Sequence, residues 1–284
     1  MLSPILTSPE ESITIPLPPP GEPLGVPCRW LVSLDYDGTL RPEEESGVDP
    51  AFFTLMQQLR RRGVRWGVNT GRSLAKLAGD LAGFPFQPDF VCTCERYAYL
   101  ANAEGCLRPA AEHNARCHAA NHALKESILP AWQTALLRLR HLHPTCSWES
   151  AADDPLSIEA ADSAALDVLM PHISAFARRW ASVAIQRAGR FMRLSHAGFT
   201  KGSALHCVQQ ALHVPQQRLF LMGDGHNDLD AFRHFPQAFC AAPATAHPVV
   251  LRWLQEHGGY ISPGRGVLHA LHFWGALHAL LHAK

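Results

Sequence analysis

Four short stretches concentrate side chains able to do chemistry. Asp35-Tyr36-Asp37-Gly38-Thr39 sets two carboxylates two residues apart. Just beyond a strand, such a pair can face one pocket, one acid as nucleophile and the other as general acid–base. Asn69-Thr70-Gly71-Arg72-Ser73 joins a hydroxyl to backbone N–H groups at a helix start, which suits an anion. Phe199-Thr200-Lys201-Gly202 puts one of the few lysines of an arginine-using chain just before a helix. Gly223-Asp224-Gly225-His226-Asn227-Asp228 gives an acid, a glycine turn and a second acid. Beside Asp35, these two carboxylates make a hard-oxygen set suited to Mg²⁺.

The elements that must position these groups follow from apolar patterning. Trp30–Leu34 reads as a buried strand ending at Asp35, and Val64–Val68 as a second ending at Asn69. Phe52–Arg62 has helical period and stops at Gly63, and Ser73 caps a helix to about Leu81. Phe90–Thr93 is a third strand, with Cys92 and Cys94 expected to face the same way. Tyr97–Asn102 adds a hairpin arm turning at Glu104-Gly105. Strands alternating with helices imply a parallel sheet with helices on both faces, and open α/β sheets bind ligands at their strand ends.

Between residues 108 and 197 the pattern changes. A long helix from about Cys117 to Leu142 precedes extended pieces at Cys146–Glu149 and Leu156–Glu159. A helix over Ser163–Trp180 precedes strands at Ser182–Gln186 and Phe191–Ser195. Helix-strand-strand repeated twice suggests a small α+β unit with an antiparallel sheet. The alternating pattern then resumes with a helix over Gly202–Leu212 and strands at Arg218–Met222, Ala238–Ala241 and Tyr260–Ile261. An amphipathic helix from Val267 to about Leu281 follows. The expected organisation is a proline-rich leader over 1–28, a core over 29–107 and 198–284, and an inserted unit over 108–197.

Lys+Arg and Asp+Glu are both 25, so the formal charge is zero, which argues against a nucleic-acid binder. It leaves room for a small anionic ligand held by local charges. The first residues carry no basic segment followed by an apolar run, and no apolar stretch reaches about 18 residues, so neither signal peptide nor membrane helix is expected. The eight cysteines show no Cys-x-x-Cys spacing, which points to reduced, mostly buried thiols in a cytoplasmic protein rather than a zinc site. His278 and His282 are spaced as a metal pair could be, but with no third ligand they read as a polar helix face.

Taken together and in order, the four motifs resemble those of the haloacid-dehalogenase-like (HAD) phosphohydrolases. The inserted unit falls between the second and third motifs. That is the position of the α/β cap in the subfamily holding sucrose-phosphate phosphatase, trehalose-phosphate phosphatase and the Cof-type phosphatases. The resemblance implies a Rossmann-like core with an inserted cap domain. It implies a Mg²⁺-dependent phosphomonoesterase acting on a small phosphorylated metabolite, with a sugar phosphate the expected substrate. In that reading Asp35 is the nucleophile and forms an aspartyl-phosphate, and Asp37 is the acid–base, set among neighbouring carboxylates. Asp35, Asp37 (through its carbonyl), Asp224 and Asp228 surround the metal, while Thr70 and Lys201 bind the transferring phosphoryl group. Gly38, Thr39, Gly71, Arg72 and Asn227 line the phosphate, and Glu95, Arg96, Arg187, Arg190 and Arg193 are candidate readers of the leaving group.

The chain departs from Cof-type relatives in three places. Ala231 stands where a methionine follows the fourth motif, Ala242-Pro243 replaces a glycine-asparagine pair, and Cys94-Glu95-Arg96 replaces a strand with Asn-Gly. These changes bear on the substrate. Two other readings remain at this level: a phosphosugar mutase and a non-catalytic phosphate-binding regulatory module.

Overall fold

The computed structural model describes residues 26–42, 47–102, 106–151, 154–263 and 266–280. The leader up to residue 25, the 104–105 turn and His282 lie outside the described residues. The elements of the larger layer are β1 (Trp30–Leu34), α1 (Pro50–Arg60), β2 (Val64–Asn69), α2 (Leu74–Ala82), β3 (Phe90–Thr93), β4 (Tyr97–Ala101) and β5 (Leu107–Pro109). The chain then enters a second unit: α3 (Ala111–Leu142), β6 (Trp148–Glu149), β7 (Ser157–Ala160), α4 (Ser163–Ala177), β8 (Val183–Ala188) and β9 (Phe191–His196). It returns through α5 (Lys201–Ala211), β10 (Leu219–Met222), α6 (Asp228–His234), β11 (Phe239–Pro243), α7 (Pro248–His257), β12 (Tyr260–Ser262) and α8 (Val267–Leu277).

The eight-stranded sheet runs β12-β11-β10-β1-β2-β3-β4-β5. Its first six strands are mutually parallel, and β4 and β5 are antiparallel additions. Parallel strands covered on both faces need apolar side chains on both, and these have them. Val32 and Leu34 of β1 pack with Phe220 and Met222 of β10 in the layer under α1, α2 and α8. Leu31, Leu219 and Leu221 pack on the other face under α5, α6 and α7. The chain winds one way from β1 to β3 and the other way from β10 to β12. The crevice between the ends of β1 and β10 is therefore the switch point where such sheets take ligands.

The second unit is a four-stranded antiparallel sheet, β6-β7-β9-β8, backed by α3 and α4. Its own core joins Ile158, Met192 and Leu194 to Ile128, Trp132, Leu166 and Ile173.

Several elements differ from the sequence expectation. Helix α3 begins at Ala111, six residues early, because its first turns are anchored by a polar group. Buried Asn114 accepts from the Ala98 N–H (2.9 Å) and donates to the Ala98 carbonyl (3.0 Å), finishing the edge of β4 as a strand would. Helices α6 and α7 were not foreseen; α7 starts on Pro248 and ends at Gly258 in the left-handed region (φ 71°). Cys94 does not continue β3 beside Cys92, since the chain turns there with positive φ at Cys94 and Glu95. None of the eight cysteines forms a disulfide, and four of them are buried. Among the described residues no helix is long and apolar enough to cross a membrane.

Candidate active site at the strand ends

Asp35 lies one residue beyond β1, and its backbone N–H still donates to Met222 of β10 (2.9 Å). Gly38 then turns the chain with φ +76°. A Cβ there would lie 2.4 Å from an oxygen of Asp224, so the glycine lets the first and fourth motifs touch. Thr39 crosses the same gap, donating from Oγ1 to Asp224 Oδ1 at 2.9 Å. Gly38→Ala is expected to lower stability by about 2 kcal/mol through φ strain and this clash. A urea midpoint equal to wild type would show that the turn is not under this constraint.

Lys201 is the first residue of α5, whose N-cap Thr200 forms a reciprocal capping box with Ser203. Its ammonium is 2% exposed and donates to Asp35 Oδ1 (2.8 Å) and Asp228 Oδ1 (2.5 Å). Asn69 fixes the same turn by donating to the Lys201 carbonyl at 3.1 Å. A buried ammonium survives only when its loss of hydration is offset by charge. Here Asp228 and Asp35 more than reverse the effect of burial and hold the Lys201 pKa above its ordinary value. Burial dominates at Asp35, aided by Asp228 and Asp224, and pushes its pKa well up against the pull of Lys201.

Oxygens of Asp35, Asp224 and Asp228 lie within 4.8 Å of one another. Asp228 Oδ2 also accepts from the Gly225 N–H at 2.9 Å, which folds the fourth motif around the cluster. Three hard oxygen donors at that spacing fit a small divalent cation.

Asp37 is positioned differently from expectation. Its partners are guanidinium groups rather than carboxylates. Arg72 donates to both its oxygens (2.6 and 2.8 Å), and Arg41 adds a third bond at 2.5 Å. Arg72 is tied in turn to Asp80 (2.8 Å), and both arginines lie over the Tyr36 ring, 5.0 and 5.2 Å from its centre. Arg72 is thus directed at Asp37 and Asp80. Thr70 holds the same turn by accepting the Arg72 N–H at 3.2 Å.

Between this crevice and the second sheet lies a cavity of about 370 Å³. Glu95, Thr200, Lys201, Asn227 and Asp230 line it from the core, and Met170, Ile185, Gln186 and Arg187 from the inserted unit. Of the expected leaving-group readers, Glu95 and Arg187 border the cavity, but Arg187 spends its donors on Asp167, Ser163 and Gly189. Arg96 joins Asn121 and Ser195 where the two units meet. Arg190 is exposed and paired with Glu159, and Arg193 is paired with Asp154. Arg96, Arg190 and Arg193 are absent from the cavity wall, because each meets a nearby acceptor within the fold.

Sequence reasoning missed Arg41, Asp80, Asp230, His226 and Gln186. Arg41 follows Asp37 by four residues, a spacing that could have marked it. Asp230 caps α5 by accepting from the Gly202 N–H (2.8 Å), a contact between distant segments that leaves no local signal. His226 lies against His247 with ring centres 4.0 Å apart and planes tilted by 46°, and burial, with His247 and Arg187 nearby, lowers its pKa to about 4.

Residues 157–250, which include the third and fourth motifs, match the haloacid dehalogenase-like hydrolase family. No curated protein matches the sequence. Among solved structures, the sucrose-phosphatase of Synechocystis, in complex with sucrose and phosphate, superposes with a TM-score of 0.62 at 19% identity, covering 89% of this chain and 98% of that one. A haloacid dehalogenase-like hydrolase of Bacillus subtilis, yhjK, gives 0.59 at 13% identity over 91% and 95% of the two chains. BT1666 of Bacteroides thetaiotaomicron, studied among phosphatases of the same superfamily, gives 0.56 at 15% over 91% and 98%. At such identities these likenesses speak to the fold. The fold is thus shared with these hydrolases, and the family match spans the part of the chain that carries Lys201, Asp224 and Asp228.

Proposed function

We propose that the protein is a Mg²⁺-dependent phosphomonoesterase that works through an aspartyl-phosphate on a small phosphorylated metabolite, a sugar phosphate by preference. The observation that carries this reading is Lys201, buried and bonded to both Asp35 and Asp228 beside the three-carboxylate cluster. A phosphoryl group arriving at Asp35 brings negative charge to a site already rich in it. Catalysis there needs positioning and charge neutralisation more than covalent novelty.

Asp35 Oδ attacks phosphorus and forms the P–O bond of the aspartyl-phosphate as the ester P–O bond breaks. Asp37 gives its proton to the departing alcohol oxygen. It then takes one from the water that attacks phosphorus and frees inorganic phosphate and Asp35. The clamp of Arg41 and Arg72 sets where the Asp37 carboxylate stands for both transfers. Lys201 and Thr70 bear on the phosphoryl oxygens. Asp35, Asp224 and Asp228 would hold Mg²⁺, with the Asp37 carbonyl as a further ligand. When bound, the ion supplies charge stabilisation to the phosphoryl oxygens. Gly38, Thr39, Gly71 and Asn227 shape this turn region, and the inserted unit roofs the cavity over it. The cytoplasm is the setting that suits eight cysteines outside any disulfide.

Phosphate release from a panel of phosphorylated metabolites tests the reading. Turnover is expected for a subset of sugar phosphates, lost with EDTA and restored by excess Mg²⁺. If folded, metal-loaded protein releases phosphate from no ester, p-nitrophenyl phosphate included, the reading falls.

A further inference from the structure

Glu95 stands out among the groups lining the cavity. Its side chain is buried, with the residue only 4% exposed. Oε1 accepts from Asn227 Nδ2 at 2.9 Å, while Oε2 has no hydrogen-bond partner among the described residues. Burial raises its pKa, against the pull of Lys201, Arg193 and Asn227. Glu95 lines the cavity, and a carboxylate oxygen without a protein donor there is available to a donor that enters it.

The backbone is arranged to put it there. Cys94 and Glu95 both have positive φ, 50° and 61°, a conformation that non-glycine residues avoid. The surrounding chain imposes it: the Cys94 N–H donates to the Arg72 carbonyl (2.8 Å) and the Glu95 N–H to the Thr70 carbonyl (3.0 Å). Gly71 leaves the room, since a Cβ at that position would lie 3.1 Å from Glu95 Oε1. Strain held in place by neighbours is characteristic of functional positions. Across the cavity wall, Gln186 donates to the Phe199 carbonyl at 3.3 Å and has no partner for Oε1. Of the two guanidinium groups on the cavity wall, those of Arg187 and Arg233, Arg187 is occupied within its own unit.

We propose that Glu95 is a specificity-determining residue that accepts a hydrogen bond from a hydroxyl on the alcohol part of the substrate. The site thereby selects phosphomonoesters of polyhydroxyl compounds over their deoxy analogues. This rests on the phosphomonoesterase reading above. A hydroxyl pairs with Glu95 whether the carboxyl is ionised or protonated, because it can both donate and accept. An analogue lacking the hydroxyl leaves Oε2 unpaired, and sites built to bond a hydroxyl discriminate strongly on that ground.

The test compares kcat/KM for hexose 6-phosphates and their monodeoxy analogues, with p-nitrophenyl phosphate as a generic ester. Wild type is expected to disfavour one monodeoxy analogue by roughly 10- to 100-fold. Glu95→Gly removes the carboxylate and also relieves the φ strain, so it should fold at least as well as wild type by thermal melt. Its ratio should collapse to within about threefold of unity, while Glu95→Gln, which keeps an acceptor, should retain most of the ratio. A wild-type ratio near one for every analogue overturns the proposal, as does a ratio unchanged in Glu95→Gly. If p-nitrophenyl phosphate is not hydrolysed, it is the phosphatase reading that falls. The same ratios, read as dissociation constants by calorimetry on Asp35→Asn protein, then decide the role of Glu95.

Discussion

Asp35→Asn is expected to lower kcat for phosphate release by about 10⁴-fold or more, with the fold intact. Asparagine keeps the shape of the side chain and the acceptor facing Lys201, but its amide cannot form the acyl-phosphate. Stability should not fall with activity. Burial and two neighbouring carboxylates already push the Asp35 pKa up, so its charge is held in the fold against its own preference. Replacing it by a neutral isostere removes that repulsion, and the thermal midpoint measured in EDTA should match or exceed wild type. Residual turnover within tenfold of wild type would remove Asp35 from the nucleophile's role. A lost fold would show instead that the carboxylate is structural.

Lys201→Met should damage both activity and stability. The ammonium lies between Asp35 and Asp228, and removing it leaves two buried carboxylates without their counter-charge. Breaking a buried ion pair from one side costs about 3–5 kcal/mol. Loss of a preorganised positive group at the phosphoryl position is expected to lower kcat on the order of 10³-fold.

The pH dependence has a definite sign. In wild type the Lys201 pKa is raised in the fold, so its stabilising contribution is fully present below its ordinary value near about 10.5 and fades above it. It is therefore constant between pH 5 and 8. In wild type and variant alike the raised Asp35 pKa makes stability fall as pH rises through it, and in the variant Asp35 has also lost the neighbour that lowered its pKa, so the fall is larger. The gap between wild type and Lys201→Met, measured by urea denaturation in EDTA, should therefore widen from pH 5 to pH 8. A gap independent of pH would mean that the two acids are not charged together in the variant.

Strand and helix order in the core was readable because parallel strands covered on both faces must be apolar throughout. Trp30–Leu34, Val64–Val68 and Arg218–Met222 stand out as short runs broken by polar turns for that reason. The helix-strand-strand repeat of the inserted unit was readable on the same ground. Its first helix was not fully legible, since Asn114 anchors its start through a polar contact that hydrophobic period does not register. Cys94 was misassigned to a strand because nothing local announces two successive residues held at positive φ.

The sequence by itself determined which chemical groups are present and where along the chain they occur: acids two apart after one strand, an acid pair after another, a hydroxyl and a lysine at helix starts. Those spacings fix local geometry, because a strand end and a helix N-terminus orient a few residues whatever surrounds them. Only the tertiary structure decided which group meets which. Lys201 reaches Asp35 across 166 positions of chain, Arg72 is taken up by Asp37 and Asp80, and Arg187, Arg190 and Arg193 are bound by acids of the inserted unit. Glu95, by contrast, keeps one oxygen free toward the cavity. Charge pairing depends on distance in space, and that distance is set by how two sheets and their helices pack.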